Sequence, residues 1–158
     1  MTFLETICRA FEEAKVPYAI VGGHAVALHG AVRGTVDIDF IITWTKKTLL
    51  SAENALNKLG LVSRLPINAN DVFEFRDEYM NTRNLIAWNF YHPLDLSKQV
   101  DIVISHDLKS MKTKSVTAGS TRVKVLSINH LIDMKREAGR EQDIADIKAL
   151  TNIREAKQ

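Results

Sequence analysis

Between Val36 and Ile42 the chain reads VDIDFII, an apolar run with two carboxylates inside it. Successive side chains on a strand point to opposite faces, so Asp37 and Asp39 share one face, roughly 6.5–7 Å apart, while Val36, Ile38, Phe40 and Ile42 fill the other. Any fold that accepts this strand must bury the second face and still supply the first with water, hydrogen bonds or a cation. Two ionised carboxylates on an enclosed surface repel each other and lose hydration, at a cost of several kcal/mol. A divalent metal offsets that cost, because hard cations such as Mg²⁺ take carboxylate oxygens and complete their shell with water and phosphate. The bland alternative is a strand end in solvent, with Arg33 as the partner of the pair.

Around this run, helical and strand patterns alternate. Phe3, Ile7, Ala10, Phe11 and Ala14 recur at helical spacing, and Pro17 ends that helix before a first strand, Tyr18 to Val21. Gly22 and Gly23 open a short helix, HAVALHGA, and the loop GAVRGT leads to the second strand, Val36 to Ile42. Lys46 to Leu59 predicts an amphipathic helix closed by Gly60, and Leu61 to Arg64 a short strand. Within Leu65 to Met80 the alternation in VFEFR predicts a strand. NLIAWNFYH and KQVDIVIS follow as strands about the Pro93 turn, and KSVTAG and TRVKVLS as a pair about Gly119. Ser127 is the expected N-cap of INHLIDMKREAG, Gly139 the break, and REQDIADIKALTNI a last helix with Ile144, Ile147 and Leu150 on one face.

At 158 residues and 46% hydrophobic content, the expectation is a single domain over 1–158. A formal charge of +2 lacks the strong basic footprint of a dedicated nucleic-acid binder. Cys8 is the only cysteine, early acids stand where a secretory signal would be basic and apolar, and no run is long enough to cross a bilayer. A cytoplasmic protein without membrane contact is expected.

Three features weigh toward the metal reading. Asp101 in QVDIVIS is another lone acid in an apolar strand, and a neighbouring strand would bring it beside the pair; three such carboxylates can hold two metals for in-line phosphoryl displacement. Gly22-Gly23 at a strand-to-helix junction lets backbone approach a phosphate, with a plain tight turn as the alternative. The chain has no GxxxxGK[ST] and no GxGxxG, so neither of those nucleotide-binding loops applies. His24 and His29 are five apart and give no zinc site, and Trp44, Trp88, Phe90 and Tyr91 read as core or as base-stacking aromatics.

Val21-Gly22-Gly23, thirteen further residues, Asp37-Ile38-Asp39 and a later Asp101 together resemble the signature of the nucleotidyltransferase superfamily with the DNA polymerase β type of fold. GGHAVALHGAVRGTVDIDF joined to INHLIDMKREAGREQDIADIKAL is similar to its small prokaryotic branch, related to AbiEii-type toxins. The resemblance covers Tyr18 to Ile42 and Val100 to Leu150 and leaves the middle unmatched. It implies an α+β fold, a short mixed β-sheet flanked by helices with C-terminal helices, and the three aspartates at the sheet's open edge. On that template Asp37, Asp39 and Asp101 are the catalytic acids and metal ligands for two Mg²⁺ ions. Asp101 also takes the proton of an attacking hydroxyl.

Gly22, Gly23, Arg33, Thr35 and Lys135 are the implied nucleotide-binding residues, although His24 stands where many members have Ser or Thr. The implied substrate is a nucleoside triphosphate such as ATP. Its monophosphate passes to an acceptor hydroxyl on RNA, protein or a small molecule, with a homodimer or partner protein completing the open site. The alternative is a non-catalytic nucleotide- or partner-binding module, part of a toxin–antitoxin-like pair. Arg140, Asp143 and Asp146 are expected to be structural, a salt bridge at a helix N-terminus.

Overall fold

The VDIDFII run lies at the middle of a seven-stranded mixed sheet. The structure, a computed structural model, describes residues 1–31, 34 and 36–157. In chain order the strands are β1 (Tyr18–Val21), β2 (Ile38–Ile42), β3 (Val62–Ser63), β4 (Ala87–His92), β5 (Asp95–Val103), β6 (Thr113–Ala118) and β7 (Thr121–Leu126). Their order across the sheet is β3-β4-β5-β2-β1-β7-β6. The β2–β5 and β1–β7 pairs are parallel and the others antiparallel. The helices are α1 (Phe3–Glu13), α2 (Gly22–Leu28), α3 (Lys46–Lys58), α4 (Ala69–Glu74), α5 (Arg76–Arg83), α6 (Ile128–Ala138) and α7 (Glu141–Ala156). This is the α+β architecture expected from the sequence.

At the centre of the sheet one face is apolar. Ile20, Phe40, Ile102 and Trp88 form a row of directly opposed residues, all buried. Phe11 of α1 closes over that face, its ring edge-on to Phe40 at 5.0 Å between centroids and tilted against Tyr18 at 5.8 Å. Burial of these large side chains on both sides of the contact, at about 1.5–3 kcal/mol each, sets the register of β1 and β2. The opposite face contains a polar row, described below.

Local signals fix the helix ends. The Thr2 hydroxyl accepts from the Glu5 backbone N–H at 3.2 Å, and Glu5 reaches back to the Thr2 backbone, a capping box. Gly139 ends α6 at φ +64, the left-handed conformation glycine adopts without steric cost.

Four expectations need correction. VFEFR is helical: Asn68 caps α4 with a capping box to Asp71, and Ala69 and Val72 face the core, so a capping signal and i, i+3 burial outweigh a short alternation. β2 begins at Ile38, so Val36 is outside the strand and exposed, and Asp37 sits in the bend before it. Ser127 occupies the N-cap of α6 but its hydroxyl makes no capping hydrogen bond. Ile144 is 64% exposed, while Leu150 is buried; the inward face of α7 is instead carried by Asp143, Asp146 and Leu150. Arg33 and Thr35 lie outside the described residues. Among the described residues no helix is long and apolar enough to cross a membrane.

Glu5 is a structural acid. Its carboxylate accepts from Thr121 Oγ1 at 2.9 Å and Ser120 Oγ at 3.1 Å, tying α1 to the β6–β7 turn, where a side chain on Gly119 would collide with it. The Thr121 hydrogen bond outweighs the opposing effect of burial and, with the Thr2 and Ser120 bonds, holds the carboxyl down at about 2, below its ordinary 4.5. A depressed acid stabilises the fold above its unfolded value and loses that contribution as pH falls through the folded one. The stability gap between wild type and Glu5→Gln should therefore be full above pH 4.5 and close toward pH 2 in denaturant titrations. A gap independent of pH would contradict this role.

Candidate active site

The row on the second face runs Val21, Asp39, Asp101, Asn89 across β1, β2, β5 and β4, each residue directly opposite the next and the last three polar. Asp39 and Asp101 thus meet on one face because two apolar strands pair in parallel with this register. Asn89 Nδ2 donates to Asp101 Oδ1 at 2.7 Å. Arg64 Nε donates to Asn89 Oδ1 at 2.8 Å, and the Arg64 guanidinium lies 4.6 Å from the centre of the Tyr91 ring. Asp101 is therefore held by a chain of side chains from the β3–β4 edge, which sequence reading did not anticipate.

Asp37, Asp39 and Asp101 line one cavity of about 910 Å³, with Gly22, Gly23, Lys135, Arg140 and Asp143. That volume lies in the range of small-molecule sites. Gly22 opens α2 at φ +67, and a Cβ built there would overlap the Asp39 carboxylate. Two independent constraints, backbone and space, thus require glycine at this position.

Burial, followed by the charge of Asp101 and a hydrogen bond between the two carboxyl groups, pushes Asp39 up to about 7. Burial and the charge of Asp101 also raise Asp37, opposed by Arg64 and His24. Burial lowers His24, whose Nε2 is enclosed with no hydrogen-bond partner among the described residues.

Lys135 faces this cavity from α6, but not as a free cation. It is 7% exposed, with Nζ 3.3 Å from Asp143 Oδ1 and 3.0 Å from Asp146 Oδ2. Arg140 Nε adds a 2.8 Å bond to Asp143 Oδ2. Burial opposes ionisation of Asp143, yet the hydrogen bonds from Arg140 and Lys135 outweigh it and hold the carboxyl below its ordinary value. The structural salt bridge expected for Arg140, Asp143 and Asp146 thus includes Lys135, whose charge reaches Asp39 through space.

Among the described residues, no group of three or more His, Cys, Asp and Glu side chains is gathered tightly enough to hold a metal ion as it stands. The donor set nevertheless suits a hard cation. Two carboxyl groups face each other across the β2–β5 pair, and Asp39 lies far enough up for a proton to occupy the place that a divalent ion takes with oxygen ligands.

No family model matches the sequence, and no curated protein matches it. Solved structures do share the fold. The lincosamide antibiotic adenylyltransferase LnuA, bound to lincomycin, superposes with a TM-score of 0.64 at 18% identity, over 96% of this chain and 96% of its own. The antibiotic-resistance factor ANT(2'')-Ia, solved in solution, gives 0.63 at 14% identity over 95% and 81%. An antigenic nucleotidyltransferase-like protein from Paracoccidioides brasiliensis gives 0.59 at 17% identity over 93% and 73%. At these identities the likeness establishes the fold, which is of the nucleotidyltransferase type.

Removing the cation from a buried pair leaves its partners uncompensated and typically costs about 3–5 kcal/mol. Lys135→Met should lose stability of that order in urea titrations because it takes the buried ammonium from between Asp143 and Asp146, leaving Arg140 as the cation bonded to Asp143. A loss below about 1 kcal/mol would mean that water already solvates these acids.

Proposed function

We propose that the protein is an Mg²⁺-dependent nucleotidyltransferase, moving a nucleoside monophosphate from a triphosphate to an acceptor hydroxyl. The observation that carries this reading is the in-register Asp39–Asp101 pair, opening with Asp37 on a cavity where Gly22 is packed against Asp39. Structural neighbours lend support: LnuA is an adenylyltransferase, and ANT(2'')-Ia has been solved with adenylyl-2''-tobramycin.

Asp37, Asp39 and Asp101 would hold the magnesium. When bound, the ions supply charge neutralisation for the triphosphate and for the oxygens exchanged at phosphorus. The chain's own residues do the rest. Asn89 keeps one oxygen of Asp101 occupied as an acceptor, leaving the other to take the proton of the incoming hydroxyl. That hydroxyl attacks the α-phosphorus, the bond to the bridging oxygen breaks, and pyrophosphate leaves. Gly22 and Gly23 allow the triphosphate to approach the backbone, and Arg33 and Thr35, which precede Asp37 in the sequence, are proposed phosphate contacts. Lys135 contributes through its charge, because its ammonium is committed to Asp143 and Asp146.

The test uses each α-³²P-labelled triphosphate with Mg²⁺ and, in turn, cellular RNA, cellular protein and a small-molecule hydroxyl panel. Label should pass to one acceptor class, and Asp39→Ala should reduce transfer beyond the roughly 10- to 100-fold that loss of an outer-shell metal partner costs. Equal labelling by wild type and variant would reject the chemistry. Binding of nucleotide without transfer to any acceptor would favour a non-catalytic module.

A further inference from the structure

The far end of the cavity plays no part in the chemistry above. From the carboxylates the cavity follows β5 past Val103 to Ser105, at most about 13 Å of extended chain beyond Asp101, and to His106 next to it. Met80, Ile86, Val103 and Met134 line the stretch between. A ring bound there would meet apolar walls on its way to a polar end.

That polar end is held from several sides. Arg76 Nε donates to the Ile104 carbonyl at 2.6 Å, and the Ile104 N–H donates to the Ile86 carbonyl at 2.9 Å. Asp107 Oδ1 accepts from the backbone N–H groups of Trp44 and Lys109, both at 3.0 Å. His106 Nε2 lies 3.2 Å from Glu137 Oε2 on α6, and His106 Nδ1 lies 2.8 Å from Ser105 Oγ.

Hydrogen-bond chemistry gives this chain a direction. A carboxylate can only accept, so Nε2 carries the hydrogen that Glu137 receives. When the imidazole is neutral, Nδ1 is an acceptor and the Ser105 hydroxyl donates to it. In that state its only hydrogen is committed, and Ser105 Oγ offers the cavity lone pairs alone.

We propose that this end of the cavity takes the nucleobase, and that Ser105 accepts a hydrogen bond from an exocyclic ring amine. The site then favours bases that carry an amine at that edge over those that carry a carbonyl, which would face Ser105 acceptor to acceptor. The inference rests on the nucleotidyl-transfer reading and adds Ser105 as a specificity residue, positioned by His106 and Glu137.

The test is calorimetric binding, without acceptor, of the α,β-methylene analogues of ATP and inosine triphosphate in Mg²⁺. These differ along the position-6 edge, an amine beside a bare N1 against a carbonyl beside an N1–H, and cannot be turned over. Wild type should bind the ATP analogue about tenfold more tightly, the scale of one hydrogen bond gained against an unpaired acceptor. Ser105→Ala should shrink the ratio below about twofold, and Ser105→Thr, which keeps the hydroxyl, should preserve it. Equal affinities in wild type, or an unchanged ratio in a folded Ser105→Ala, would overturn the assignment while leaving nucleotidyl transfer standing. Failure of wild type to bind either analogue would overturn both.

Discussion

The parallel pairing of β2 with β5 is the constraint from which the site follows. Its register is set on the apolar face, where Phe40 stands opposite Ile102 and both are fully buried. A one-residue slip of β2 against β5 would turn Phe40 out of the core and Asp39 into it. The hydrophobic face therefore holds in place a contact that its own electrostatics oppose, Asp39 against Asp101. The opposition is visible in Asp39, pushed up to about 7 by burial and by its neighbour's charge.

The surrounding residues manage that opposition without removing it. Asn89 satisfies one oxygen of Asp101, and Gly22 leaves room for the Asp39 carboxylate where any side chain would overlap it. Lys135 and Arg140 bring two positive charges to the wall, but Asp143 and Asp146 bring two negative ones, so the cluster between α6 and α7 is balanced within itself. The three cavity aspartates are not neutralised by it. A highly charged anion such as a triphosphate would be repelled from them unless a cation came with it.

Much of this was legible in the sequence, for identifiable reasons. Acids inside apolar strands violate the local pattern, and Asp39 and Asp101 were conspicuous on that ground. The Gly22-Gly23 pair and the Gly139 break also announce themselves, since glycine marks conformations other residues avoid. Partnerships formed only by tertiary packing were not legible. Asn89 looks like any polar strand residue until β4 lies beside β5, and Lys135 looks like an exposed helix lysine until α7 folds back over it. Ser105, His106 and Glu137 are separated by up to 32 positions and carry no motif. The α4–α5 segment departs from the strand pattern because VFEFR satisfies the period of a strand over too few residues to outweigh the Asn68 capping box.

The central claim is that the three aspartates hold a divalent cation together with the triphosphate. The most direct measurement is the affinity of a non-hydrolysable triphosphate in Mg²⁺ and in chelator, for wild type and for Asp39→Asn and Asp101→Asn. The account predicts tight binding by wild type only with Mg²⁺, and a marked loss of that Mg²⁺ dependence in each variant. Binding by wild type that is equally tight in chelator, or a Mg²⁺ dependence that survives unchanged in both variants, would contradict it.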